Sequence, residues 1–553
     1  MRIRPIRWAA VVAVVLTLAL SEASPAAPNE IPQSWSSAGH DILGSRSQPF
    51  ESTISTANVS TLQPKWVFNT HGDVSATPTV SDGVIYFPDW GGYLNAVNAK
   101  TGALLWQTQV ASFNGVAGEV SRTSPAIAGN ELIIGSNDNA NQAHPGAYIF
   151  AVNRATGALI WSTQVETHQA AVITGSAVVY HNSVFVGVSS EEENFSAAAD
   201  YPCCTFRGSV VSLNVRTGAI NWQYYTIPAA LDRPCVTPKP STGNPPTGCG
   251  YSGAAVWSTP ALDPIHNALY VGTGNDYTGT DAAAACEKQA KATGTSDDNC
   301  TDPADRFESV LSLDLRTGAL KWSHKLSGYD VFNLYCIFLN PPVSWCPSIF
   351  SSDLDFGSGP NIFPTTVGGK PTPAVGIGQK SGVYWALDTA TGAILWETLV
   401  GPGSAGGGIQ FGTATDFRRI YVPIANALGT SYQPHGSDQT VTSGSWAALN
   451  PATGAILWQT ADPSNSPAID YGPTSVANGV VYGGSLGATG NNMYALNAAT
   501  GQILWRFPSG GSVVGAPAIV NGTVYWASGD NRDSANYGTT GNNKLYALTL
   551  NGQ

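Results

Sequence analysis

The chain has 553 residues and a formal net charge of −12, and only 11% of its residues are charged. An acidic surface of this kind disfavours nucleic acid as a partner. Glycine (60) and tryptophan (16) are abundant among β-forming residues, which reads as an all-β chain with many tight turns.

The first residues, MRIRPIRWAAVVAVVLTLALSEASPAAP, place three arginines before an apolar run and then small residues at 23–27. This is the pattern of a secretory signal over 1–27. An uncleaved anchor is the alternative, although Trp8 to Leu20 is short for a span. No later apolar run is suited to crossing a membrane, so no span is expected in the mature chain.

From residue 62 onward the sequence repeats itself. LNAVNAKTGALLWQT (94–108) recurs as IFAVNRATGALIWST (149–163), VVSLNVRTGAINWQY (210–224) and VLSLDLRTGALKWSH (310–324). Further copies are VYWALDTATGAILWET (383–398), WAALNPATGAILWQT (446–460) and MYALNAATGQILWRF (493–507). Each alternates apolar and polar residues, breaks at Thr-Gly and resumes with a Trp, which is strand, turn, strand. Upstream of most copies lies a second hairpin, so each unit holds four strands and reads as a propeller blade. An eighth copy, KLYALTLNGQ, ends the chain without its Trp strand, and LQPKWVFNT (62–70) supplies the missing piece. The expected fold is therefore an all-β, eight-bladed β-propeller, one domain over 28–553, its ring closed by the N-terminal strand. The repeating tryptophans are read as blade-docking residues without chemistry.

Where the blades differ is more informative. The innermost strands begin at one mouth of the axial channel, and their first residues are Ser75, Arg122, Thr174, Trp257, Tyr471 and Val514. Blades five and six have longer lead-ins, at 351–360 and 406–412. A flat aromatic ligand with anionic groups suits such a mouth: Trp257 stacks on its face and Arg122 pairs with a carboxylate. The plain alternative is that Trp257 and Tyr471 plug the channel. Insertions at 189–208, 272–307 and 329–357 hold Glu191 to Glu193, Asn275, Asp330, Asp353 and Asp355. Their oxygens are of the kind Ca²⁺ takes, although scattered acids are often solvated surface.

The eight cysteines fall at 203, 204, 235, 249, 286, 300, 336 and 346. An even count behind a signal peptide points to disulfides. The pairs 235–249, 286–300 and 336–346 would each close a short loop within an insertion, which by elimination leaves Cys203 with Cys204. Against this, adjacent Cα atoms sit about 3.8 Å apart across a trans peptide, and an ordinary disulfide wants roughly 4.4–6.8 Å. Two thiols paired elsewhere, or not at all, are the alternative. No CxxCH haem-attachment motif occurs.

These residues resemble the pyrroloquinoline-quinone (PQQ) dependent alcohol dehydrogenases, and among them the polyvinyl-alcohol dehydrogenases, because YPCCTFRG (201–208) follows a Glu cluster and DFG (355–357) leads into blade five. The resemblance implies PQQ and a metal on the axis. It implies Asn275 of VGTGND and Glu192 of GVSSEEE as calcium ligands, with Glu191 and Glu193 as neighbouring alternatives. It further implies Trp257 beneath the quinone, and Arg122, Thr174, Ser190, Cys203, Cys204 and Lys380 as PQQ contacts. Asp355 is implied as catalytic base and third metal ligand, with Asp330 as runner-up because the stretch that carries the base is split here. Lanthanide-using relatives carry an Asp two residues after the base, and Gly357 stands there, which implies calcium. In methanol-dehydrogenase-like members the paired cysteines precede the Arg of blade two. Here that stretch, NGVAGEVSR, has none, and the pair comes from blade three. The implied activity is oxidation of an alcohol by a secreted or periplasmic enzyme that passes electrons to an external acceptor such as a cytochrome c. The rival reading is a non-enzymatic propeller that serves as a binding or assembly scaffold.

Overall fold

A computed structural model describes residues 33–137, 146–196, 201, 203–235, 248–334, 353–464, 468–487, 489–532 and 534–553. The expected signal at 1–27 and the pair Cys336 and Cys346 lie outside the described residues. Among the described residues eight sheets, each built on four antiparallel strands, follow one another round a ring, and two of them, in blades three and seven, gain a fifth strand. Blade one is typical: Thr79–Ser81, Val84–Pro88, Tyr93–Asn98 and Leu104–Gln109 run from axis to rim. Blade eight takes three strands from the C-terminus and its outermost, Leu62–Asn69, from the N-terminus, which pairs with Lys544–Leu550 and closes the ring as expected.

The repeat motif explains both the turn and the docking of neighbours. In blade one the Asn98 side chain accepts from the N–H groups of Lys100 and Thr101, which folds the chain back. Gly102 then takes a φ of +73°, open to glycine at little cost. It must also lack a side chain, because a Cβ there would stand 2.8 Å from the ring of Trp66 in blade eight. That Trp66 indole donates to the carbonyl of Ala99. The same bond recurs round the ring, from Trp106 to Arg154, Trp161 to Val215, Trp222 to Leu315, Trp322 to Thr389, Trp396 to Pro451 and Trp458 to Ala498. Trp505 completes it by donating to Leu62 on the N-terminal strand. Each Trp, buried or half-buried, thus satisfies its one donor on the next blade.

One element escapes a sequence reading. Residues 35–48 form a strap that adds backbone hydrogen bonds to the inner strands of most blades. Trp35 pairs with Val80, and Ser36, Ile42, Leu43, Ser45 and Arg46 accept from Ile127, Leu262, Ile362, Thr415 and Val476. Ser47–Gln48 then lies as a parallel strand on blade seven. Each of these inner-strand positions is about five residues past the mouth (Arg122 then Ile127, Trp257 then Leu262, Tyr471 then Val476), or roughly 16 Å along an extended chain. The strap crosses the channel on the side away from the mouth. A further addition is a helix, Asp281–Thr293, in the blade-four insertion, capped by the Thr280 side chain and ended by Gly294 in the left-handed region.

Candidate functional site

The mouth is organised by one carboxylate. Asp355, buried in the blade-five lead-in, accepts from the Asn275 backbone N–H at 2.6 Å on Oδ1. Its Oδ2 accepts from the Trp257 indole and from Lys380 Nζ, both at 3.0 Å. Four residues singled out in the sequence, from blades four and five, therefore meet at one group. Lys380 also donates to Asp353 at 2.8 Å, and its Nζ lies 5.3 Å from the Trp257 ring centroid. Thr174 Oγ1 donates to the Trp257 carbonyl at 3.2 Å. Gly357 has a steric reason to be glycine, since a Cβ there would overlap the Trp257 ring. The runner-up base, Asp330, instead braces the neighbouring backbone: its Oδ2 accepts from the Leu354 N–H at 2.9 Å.

The glutamate cluster corrects the reading of Glu192. The strand Ser183–Ser190 does not continue as a strand but enters a helical turn, Glu192–Phe195. Successive side chains on such a turn point about 100° apart. Glu192 consequently faces the 201–206 segment, where its carboxylate accepts from the N–H groups of Thr205 and Phe206 and from the Tyr201 hydroxyl. His168 Nε2 lies 3.4 Å away. Burial lowers the affinity of His168 for a proton, but Glu192 outweighs it and the pKa is raised. Ser190 Oγ accepts from the Glu192 N–H at 2.8 Å, so it caps this turn. Glu193 is the glutamate that feels the Asp355 group. Burial, then Asp353, raises its pKa well above the usual range, Lys380 opposes, and Asp355 and Glu191 add to the rise. Nothing in the run Glu-Glu-Glu distinguishes the three without the helical turn.

Cys203 and Cys204 are joined by a disulfide, with Cα atoms 3.0 Å apart across a cis peptide, and both are buried. Cys235 with Cys249 and Cys286 with Cys300 are bonded as expected. The vicinal pair lies in the apolar cluster that contains Tyr201, Phe206 and Tyr277 and against which Trp257 packs. On the other edge of Trp257 stands Phe411, from the blade-six lead-in, at 5.8 Å and 79°. Arg122 lies over the Phe411 ring at 5.5 Å, and its guanidinium forms no ion pair among the described residues. Tyr471 packs on Phe411 at 5.5 Å. The role of Phe411 was missed in the sequence, where GGGIQFG signals only an unusually long lead-in.

Charge decides what the site can hold. Burial opposes the positive charge on Lys380, but Asp353 and Asp355 overcome it and keep its pKa well above the lysine range. Burial, opposed by Lys380 and reinforced by Asp355, pushes the Asp353 carboxyl well up. One lysine thus contacts two buried carboxylates, Asp353 and Asp355, while the half-buried Glu193 acts on it from nearby, and carboxylates in excess call for a further cation. Among the described residues no three His, Cys, Asp or Glu side chains are placed to hold a metal by themselves. An amide oxygen supplies the third donor. Asn275 Nδ2 is spent on the carbonyls of Asp276 and Phe332, which turns its Oδ1 the other way. Asp355, Glu193 and the Asn275 amide are hard oxygen donors that fit Ca²⁺. The flat Trp257 face, rimmed by the Arg122 guanidinium and Lys380, fits a planar polyanion.

Residues 35–335 match the family described as PQQ: glucose/ethanol/alcohol dehydrogenase, beta-propeller domain. Residues 442–545 also match outer membrane protein assembly factor BamB. The chain is 30% identical over 414 residues to a polyvinylalcohol dehydrogenase of Sphingopyxis sp. (strain 113P3), covering 73% of this chain and 55% of that one. It is 27% identical over 465 residues to a polyvinylalcohol dehydrogenase of Pseudomonas sp, covering 82% and 65%. The chain thus spans between about half and two thirds of the length of these relatives. Among solved structures, the quinohemoprotein alcohol dehydrogenase ADHIIG of Pseudomonas putida HK5 superposes with a TM-score of 0.69 at 19% identity, over 94% of this chain and 80% of that one. A europium-containing methanol dehydrogenase gives 0.66 at 19% identity, over 94% and 99%. At these identities the structural likeness is one of fold.

Proposed function

The chain belongs to the PQQ family of glucose, ethanol and alcohol dehydrogenase β-propellers, and we propose that it is a secreted or periplasmic quinoprotein that oxidises an alcohol. Secondary alcohols, including polyvinyl alcohol, are the substrate class that the names of the two relatives support. Trp257, Arg122 and Lys380 would hold PQQ, with the Cys203–Cys204 segment walling the site. Glu193 and the Asn275 amide oxygen would hold Ca²⁺ beside Asp355. When bound, PQQ supplies the hydride acceptor and Ca²⁺ the Lewis acid.

The observation that carries this reading is the Asp355 carboxylate, which alone joins Asn275, Trp257 and Lys380. A carboxylate has about four lone-pair sites. Three are occupied by fixed donors, which orient the group, and one remains for the alcohol proton. Asp355 is therefore the general base. Electrons leave through a separate carrier such as a cytochrome c. The segment 1–27 serves as the export signal.

The test is reconstitution of the full chain with PQQ and Ca²⁺, followed by dye reduction with primary alcohols, secondary alcohols and polyvinyl alcohol. Turnover with secondary alcohols supports the reading. Absence of both PQQ uptake and turnover favours the scaffold instead, for which the BamB match over blades six to eight is the supporting observation.

A further inference from the structure

Beside the mouth residue Tyr471, a second group of oxygens stands between blades six and seven. Asp462 and Ser464 follow the outer strand Ile456–Ala461 of blade six, and Asp470 ends the lead-in to blade seven. Asp470 is fully buried and Asp462 nearly so, at 0% and 4% exposure. Both Asp470 oxygens, Asp462 Oδ2 and Ser464 Oγ are shielded from solvent and meet no hydrogen-bond partner among the described residues. The Asp462 and Asp470 carboxyls are within hydrogen-bonding reach of one another, and Asp462 is the one charged group that acts on Asp470. The Tyr494 hydroxyl lies beside Asp462 and Ser464 but gives its hydrogen to the Asn491 carbonyl at 2.8 Å. It therefore presents oxygen to them as well. The backbone of blade six closes the other side, where a Cβ on Gly444 would stand 2.6 Å from Asp470 Oδ2.

A buried carboxylate pair in blade four provides the contrast. Asp276 and Asp305 also abut, but Lys325 lies close enough to supply positive charge. At Asp470 no cationic side chain among the described residues does so. Isolated buried carboxylates are strongly disfavoured unless they are paired, protonated or metal-bound. A shared proton joins two oxygens only and leaves the second Asp470 oxygen without a partner, whereas a hard divalent cation takes several such oxygens at once.

We propose that Asp462, Ser464 and Asp470 form a Ca²⁺ site, separate from the one at Asp355, that ties blade six to the blade-seven lead-in. Asp470 immediately precedes Tyr471, which packs on Phe411 and through it on Trp257. The ion would thus steady the aromatic side of the mouth.

The test uses the full chain loaded with PQQ and Ca²⁺ and then freed of excess metal. Bound calcium is counted by elemental analysis, and the thermal midpoint is followed against added Ca²⁺. Asp470→Asn and Asp462→Asn are each expected to lose one calcium equivalent and to keep PQQ. The calcium dependence of the midpoint should weaken in both. Ser464→Ala, a milder change, keeps the fold testable if the others fail, and should weaken calcium binding several-fold. Asp355→Asn should retain this ion, which separates the proposal from the reading of the active site. Unchanged calcium content in Asp470→Asn, or calcium binding in Ser464→Ala equal to that of the unaltered chain, overturns the proposal in favour of a proton or water.

Discussion

The two ends of the channel obey different rules. Away from the mouth, the strap 35–48 meets one inner strand after another through backbone bonds, and these ask little of the side chains. At the mouth, no two blades present the same residue, and Asp355, Asn275, Trp257 and Lys380 are drawn together from two blades and their insertions. Repetition is the property of the scaffold, and chemistry sits where repetition is broken. A propeller can carry a site of this kind because the docking bonds of each Trp do not depend on what its lead-in carries.

Four substitutions test that separation. The largest expected effect is on chemistry alone. Asp355→Asn should lower kcat by about 10²–10⁴-fold, the usual contribution of a general base, with an unfolding midpoint close to that of the unaltered chain. A large loss of stability there would erase the distinction between the two ends. Next, Gly357→Ala forces the Trp257 ring aside. PQQ affinity should fall, measured by equilibrium titration, while far-UV circular dichroism is retained. Third, the comparison is inverted at the docking turn. Gly318 has a φ of +70° and a Cβ there would stand 2.5 Å from Trp222. Gly318→Ala should cost about 1–3 kcal/mol in denaturant unfolding and leave kcat/KM unchanged.

The smallest effect is pH-dependent. His168 has a raised pKa because Glu192 outweighs burial. A group with a raised folded pKa contributes stability that is fully present below its unfolded value, about 6.5, and is lost as pH rises through the folded value. The thermal midpoint should therefore decline just above pH 6.5, and the decline should flatten in His168→Asn. Equal slopes would show that the Glu192 pocket does not depend on this pair.

Legibility followed the range of the interactions. The turn at Asn98 to Gly102 and the Trp that docks on it are written within fifteen-residue repeats, so blade number and closure by Leu62–Asn69 were readable. The repeat register placed Trp257 at the start of an inner strand, whereas Asp355, Lys380 and Asn275 were implied by the family resemblance. The choice among Glu191, Glu192 and Glu193 was not readable, since a single helical turn re-aims them. The strap was not either, because 35–48 has no alternation of its own and gains its backbone partners from six distant blades.

By itself, then, the sequence determined the propeller and the position round its axis of each residue that differs between blades, because strand period and turn chemistry are local. Only the tertiary structure decided that Glu193 rather than Glu192 stands with Asp355, that Phe411 flanks Trp257, and that Asp462 and Asp470 share a buried space. These depend on side-chain direction and on which charges end up together out of water, and both are settled only when the ring has closed.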